Sequence, residues 1–98
     1  MNDLRTAVLL SIQRALLGNL GTHVRLVTCR WSKHDIKLRA VFDGEIPDDE
    51  AEAMSVAETE MMADFPDHDV SLTCERCDAP QNIPRQADDY AVFRRFES

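Results

Sequence analysis

Residues 35–43 read Asp35-Ile36-Lys37-Leu38-Arg39-Ala40-Val41-Phe42-Asp43, and Ile36, Leu38, Ala40 and Phe42 fall on every second position. In an extended chain successive side chains point to opposite faces, so four apolar residues share one face and Lys37, Arg39 and Val41 share the other. That pattern is a strand with one face buried, in residues suited to a pleated surface. Working back toward the amino terminus, Ser32-Lys33-His34 separates it from residues 22–31 (THVRLVTCRW), which are again rich in β-branched and aromatic residues. The two segments read as a hairpin. In the first of them Val27, Cys29 and Trp31 share a face, whereas Arg25 and Leu26 break the alternation. The sheet is expected to be covered on one side and partly solvated on the other.

Beyond the second strand, Asp43-Gly44 turns the chain into a helix with Pro47 near its start. Asp48, Asp49 and Glu50 stand where carboxylates interact favourably with the helix dipole. Ala51, Met54, Met61, Met62 and Phe65 form its expected apolar side, and Pro66 ends it. At the other end of the chain Leu4, Val8, Ile12 and Ala15 recur at helical spacing, with Asn2 or Asp3 to cap and Gly18 to stop. Leu9 and Leu16 widen that apolar arc, while Leu10 and Leu17 fall elsewhere. Residues 70–76 (VSLTCER) read as a third strand, 77–88 as a proline-containing loop and Tyr90–Phe96 as a fourth strand. The element order is α-β-β-α-β-β. The economical fold class is an α+β two-layer sandwich, a four-stranded, largely antiparallel sheet with both helices on one face.

The chain has 98 residues, room for one domain over 1–98 and one core. Three Gly and four Pro, with 44% hydrophobic and 30% charged residues, belong to a globular chain rather than a disordered one. Three cysteines cannot all pair within the chain, which favours reduced thiols. No apolar run is long enough for a bilayer, and Met1-Asn2-Asp3 lacks the order of a secretory signal. The expected location is the cytoplasm, without membrane attachment.

The net charge of −7 argues against a non-specific nucleic-acid binder, whose affinity depends on Lys and Arg releasing counterions from phosphates. The charge is also unevenly placed. From Asp43 to Asp69 there are eleven acids and no Lys or Arg, while the rest of the chain carries eleven bases against seven acids. Solubility and helix-start carboxylates explain some of this block. They predict interspersed signs, however, and a single-sign field is suited to steering and discriminating partners. The candidate partner-binding residues are Asp43, Glu45, Asp48, Asp49, Glu52, Glu60 and Asp64. Their expected partner is basic, such as a nuclease.

Candidate chemistry is sparse. Cys74-Glu75-Arg76-Cys77 has a spacing that binds zinc or exchanges disulfides, but the further zinc ligands that could be proposed, His68 and Cys29, do not form a second close pair, and the pair ends a strand instead of opening a helix. His34-Asp35 lies in a hairpin and His23 and His68 at element edges, without a nucleophile that a base could activate. Glycines are too few for a phosphate loop. No catalytic, metal or cofactor-binding residue is therefore nominated, and the expectation is not an enzyme. Glu58 falls within the apolar arc of the second helix, so it is expected either to pair with an Arg such as Arg25 or Arg39 or to have a raised pKa. Arg30, Lys37, Arg39 and Arg94 could line the open sheet face, as in RNA-binding sheets, but stacking aromatics are scarce there and solvated cross-strand ion pairs are the expected alternative.

At Trp31, Ile36-Lys37-Leu38-Arg39, Phe42-Asp43-Gly44-Glu45, Glu58-Thr59-Glu60 and Ala63-Asp64-Phe65-Pro66 the chain resembles a family of small bacterial contact-dependent growth inhibition immunity proteins. The resemblance implies an intracellular inhibitor that binds and neutralises a cognate toxin domain delivered by a neighbouring cell. It brings no list of binding residues, and the chain departs from it at Pro47, where a small capping residue is expected, and at Val56, where a charge is expected. The rival readings are an interaction module that dimerises through the open sheet face or an edge strand, and a metal or thiol protein using Cys74 and Cys77.

Overall fold

The computed structural model describes residues 3–86 and 89–97. Asp3 caps helix α1 (Leu4–Leu16) by accepting the Thr6 backbone N–H at 2.8 Å. Gly18, at φ +78°, supplies the left-handed residue after its end. Asn19 Nδ2 donates to the otherwise free carbonyl of Ala15 at 2.7 Å. The buried side of α1 is Val8, Ser11, Ile12, Ala15 and Leu16, a helical stripe. Leu10 and Leu17 lie outside it, exposed to solvent.

Strands β1 (Val24–Trp31) and β2 (Asp35–Phe42) form the expected antiparallel hairpin. Ser32 closes its loop, donating its N–H to the Asp35 carbonyl and accepting at Oγ from the His34 and Asp35 amides. Arg25 is the extra residue of a bulge, since Val24 opposes Phe42 and Leu26 already opposes Val41. The broken alternation in the sequence is this insertion. It returns Val27, Cys29 and Trp31 to the helix side and puts Arg25, Leu26, Thr28 and Arg30 on the other.

Helix α2 (Asp48–Asp64) follows the Gly44 turn, where φ is +80°, and crosses over to β3 (Asp69–Arg76), which pairs with β2 in parallel. Strand β4 (Tyr90–Arg94) pairs antiparallel with β1, giving the order β3-β2-β1-β4. Two of the three pairings are antiparallel, and both helices cover one face. Its core joins Val8 and Ile12 of α1 to Val27, Ile36, Leu38 and Phe42 of the sheet and to Met54, Ala57 and Met61 of α2. Met62, expected on the apolar side of α2, is instead exposed. The buried stripe of α2 runs 54, 57, 61, and Met62 is one residue, about 100° of helical rotation, away.

With β3 and β4 at opposite edges, the chain between them has to cross the sheet. Helices occupy one face, so the described residues 77–86 run over the other. Arg39 anchors this crossing, donating to the Pro84 carbonyl at 3.2 Å and pairing with Asp89 at 3.1 Å. The outer face is thus partly roofed rather than simply solvated, and Leu26 and Val41 are buried on it.

Candidate functional site

The acidic segment spans the Gly44 turn, α2 and the connection to β3, and the fold divides nine of its eleven carboxylates, those before Asp67 and Asp69, into two groups. One group is spent on holding the protein together. Asp43 accepts the Ala79 backbone N–H at 3.0 Å and pairs with Arg95 at 3.0 Å, interactions that hold its carboxyl below the usual range. Glu50 accepts the His23 backbone N–H at 3.2 Å and meets the His23 ring, which docks the start of α2 onto the start of β1. Gly21 makes room for this contact, because a Cβ there would overlap the Glu50 carboxyl group. Asp64 accepts from Ser11 Oγ at 2.7 Å and lies 3.4 Å from Arg14, joining α2 to α1.

Glu58 belongs to the same group, and neither Arg25 nor Arg39 is its partner. Its Oε2 accepts the Leu72 backbone N–H at 2.8 Å. Because β2 occupies the other side of β3, this amide lies on the outer edge of the sheet, and the carboxylate of the overlying helix takes the place of a further strand. Arg25 pairs in two-pronged fashion with Glu97, at 2.8 and 2.9 Å, and donates to the Cys77 carbonyl at 2.7 Å. Arg39 pairs with Glu75 at 3.2 Å in addition to Asp89. These partners stand dozens of residues apart, so no local pattern announces them.

The second group faces solvent. Glu45, Asp48, Asp49, Glu52 and Glu60 are all exposed, and among the described residues none forms an ion pair. Asp49, Glu52 and Glu60 follow one another along the outer side of α2 at helical spacing, with Val56 between them, 45% exposed. The outer side of α2 is consequently a row of carboxylates around one apolar contact. Of the seven candidate partner-binding residues, Asp48, Asp49, Glu52 and Glu60 are exposed on α2 and Glu45 on the turn before it, while Asp43 and Asp64 are engaged within the fold.

The thiols are separate from this surface. Cys29 is buried, which pushes its pKa up to about 12, and burial also raises that of Cys74. Both shifts disfavour the thiolate that metal binding or exchange requires. Among the described residues no group of three or more His, Cys, Asp or Glu could hold a metal ion, and no helix is long and apolar enough to cross a membrane.

The model of one protein family, described as MafI2 immunity protein, matches residues 5–97. The chain belongs to the MafI2 immunity protein family. The match runs through every element of the fold, from α1 to the Glu97 that clamps Arg25. No curated protein matches the chain. MafI2 is a bacterial toxin-immunity family, of the same general class as the contact-dependent growth inhibition proteins that the sequence resembles. Its members bind and neutralise a partner toxin without catalysis, and a cognate toxin is the partner of this chain.

Proposed function

We propose that this immunity protein meets its toxin through the exposed carboxylates of the Gly44 turn and α2, namely Glu45, Asp48, Asp49, Glu52 and Glu60, with Asp43 and Asp64 bracing the surface. The observation that carries the reading is that these five exposed carboxylates, close together in the chain, form no ion pair among the described residues. Their mutual repulsion is a cost to folding, and a cationic partner turns it into attraction. A toxin surface of that sign is basic, as in a nuclease that tracks phosphate. Val56 adds an apolar contact from which water is excluded when the two surfaces close.

The setting follows the contact-dependent type, in which the inhibitor waits in the cytoplasm of the cell that the toxin enters and occludes the toxin's active or substrate-binding surface. The test is a triple reversal, Asp49→Lys, Glu52→Lys and Glu60→Lys, assayed by calorimetry against the cognate toxin domain. Affinity is expected to fall at least tenfold with the thermal midpoint maintained, and an unchanged affinity and salt dependence would exclude this surface as the docking site.

A further inference from the structure

The outer face of the sheet carries a charge arrangement that the fold does not need. Arg30 on β1 stands directly opposite Lys37 on β2, and Lys37 directly opposite Ser71 on β3, so two cations and a hydroxyl form one row across three strands. Adjacent strands are about 4.8 Å apart, so the row spans about 10 Å. Like charges in direct cross-strand register destabilise a sheet. Among the described residues neither Arg30 nor Lys37 has a carboxylate partner. The next row, Thr28, Arg39 and Thr73, differs in that its cation is paired: Arg39 is buried and holds both Glu75 and Asp89.

The two rows meet in a cleft of about 270 Å³, lined by Arg30, Lys37, Ser71, Thr73 and, from the crossing segment, Gln86. Glu75 and Asp89 also line it and share the single charge of Arg39, so the described lining carries three cations against two carboxylates, and neither Arg30 nor Lys37 forms an ion pair among the described residues. The cleft is smaller than the 300–1,000 Å³ or so of sites that enclose a small-molecule ligand. Its size suits a side chain, and its donors suit an oxyanion.

We infer that this cleft is a second docking site for the toxin, and that it receives an Asp or Glu side chain of the toxin between Arg30 and Lys37, with Ser71 and Thr73 as hydroxyl donors. The inference rests on the toxin-binding role and adds a contact of opposite sign, on the face away from the helices. A toxin that is basic overall then carries one acidic protrusion, and the pair of opposite contacts fixes a single orientation of docking.

The test is Lys37→Glu in the full chain. In the protein alone this change replaces cross-strand repulsion by an ion pair between Arg30 and the introduced carboxylate, so the thermal midpoint is expected to stay or rise. It also makes the protein more acidic, which by long-range attraction alone would tighten binding to a basic toxin. Local recognition of a carboxylate reverses that sign, and affinity for the cognate toxin domain is expected to fall about tenfold or more. Equal or tighter binding would overturn the inference. With the α2 reversals measured alongside, loss in those variants alone removes the cleft from the interface, whereas loss in Lys37→Glu alone removes the helix surface. Anisotropy with a short labelled single-stranded RNA supplies the remaining arm: RNA binding at physiological salt that Lys37→Glu abolishes, with toxin affinity unchanged, would assign the row to phosphate and overturn the toxin contact.

Discussion

Glu58 shows how a single side chain acquires a role that its own neighbourhood does not state. Its position on α2, four residues after Met54 and three before Met61, puts it at the margin of the buried stripe, where an unpaired carboxylate is unfavourable. The parallel placement of β3 brings the Leu72 amide within 2.8 Å, and the pair satisfies both groups. Glu58→Ala is expected to cost about 1 kcal/mol in urea unfolding, the net worth of such a bond with some addition for its charge. Faster hydrogen exchange at the Leu72 amide would accompany it, and an unchanged exchange rate would show that the carboxylate is not the amide's protection. Glu58 was legible in the sequence as an anomaly, but its partner was not, because a backbone amide on another element leaves no mark in residue type.

Between elements, the chain after β4 is secured to β1 and the Gly44 turn by charge. Glu97 accepts from Arg25 first and Arg95 second, which lowers its pKa from 4.5 to about 2. Asp43, held by the Ala79 amide and Arg95, and Asp78, held by Arg76 and the Gly44 amide, are shifted in the same direction. A carboxyl whose folded pKa is depressed contributes stability that is complete above the unfolded value and lost as pH falls through the folded one. Urea midpoints are therefore expected to decline as pH drops from about 4.5 toward 2, and Glu97→Gln should flatten part of that decline by lowering the midpoint already at neutral pH. Parallel profiles for the two proteins would show that Glu97 does not carry it. The elements themselves were readable. Alternation marked β2, helical spacing marked α1, and Pro47 and Pro66 framed α2 to within a residue or two. The bulge at Arg25 was visible as a break in pattern, and its meaning required the opposing strand. The parallel pairing of β3 was not visible, since a strand reached through a helix can join either edge of a hairpin.

On the scale of the molecule, charge is sorted by layer. The outer side of α2 is acidic, whereas the opposite face of the sheet carries Arg30 and Lys37 without partners among the described residues. A surface field of this kind acts mainly on the rate of encounter. The association rate constant with the toxin domain is expected to fall steeply between about 50 and 500 mM salt, over which the Debye length shrinks to a few ångströms, with a much smaller change in dissociation. Stopped-flow mixing over that series checks it, and a salt-independent association rate would mean that the acidic surface does not steer the toxin.

The amino-acid sequence by itself determined the six elements, their order, the one-sided burial of the sheet and the uneven charge, because each of these is written in local periodicity or composition. Its resemblance to immunity proteins pointed to the functional class that the family match establishes. Tertiary structure alone decided which acids are free. Asp43, Glu50, Glu58 and Asp64 are engaged by Arg95, His23, the Leu72 amide and Ser11, whereas Glu45, Asp48, Asp49, Glu52 and Glu60 are exposed and form no ion pair among the described residues. A carboxylate's availability depends on what the fold carries to within about 3 Å of it, and a linear count of charges contains no such distance.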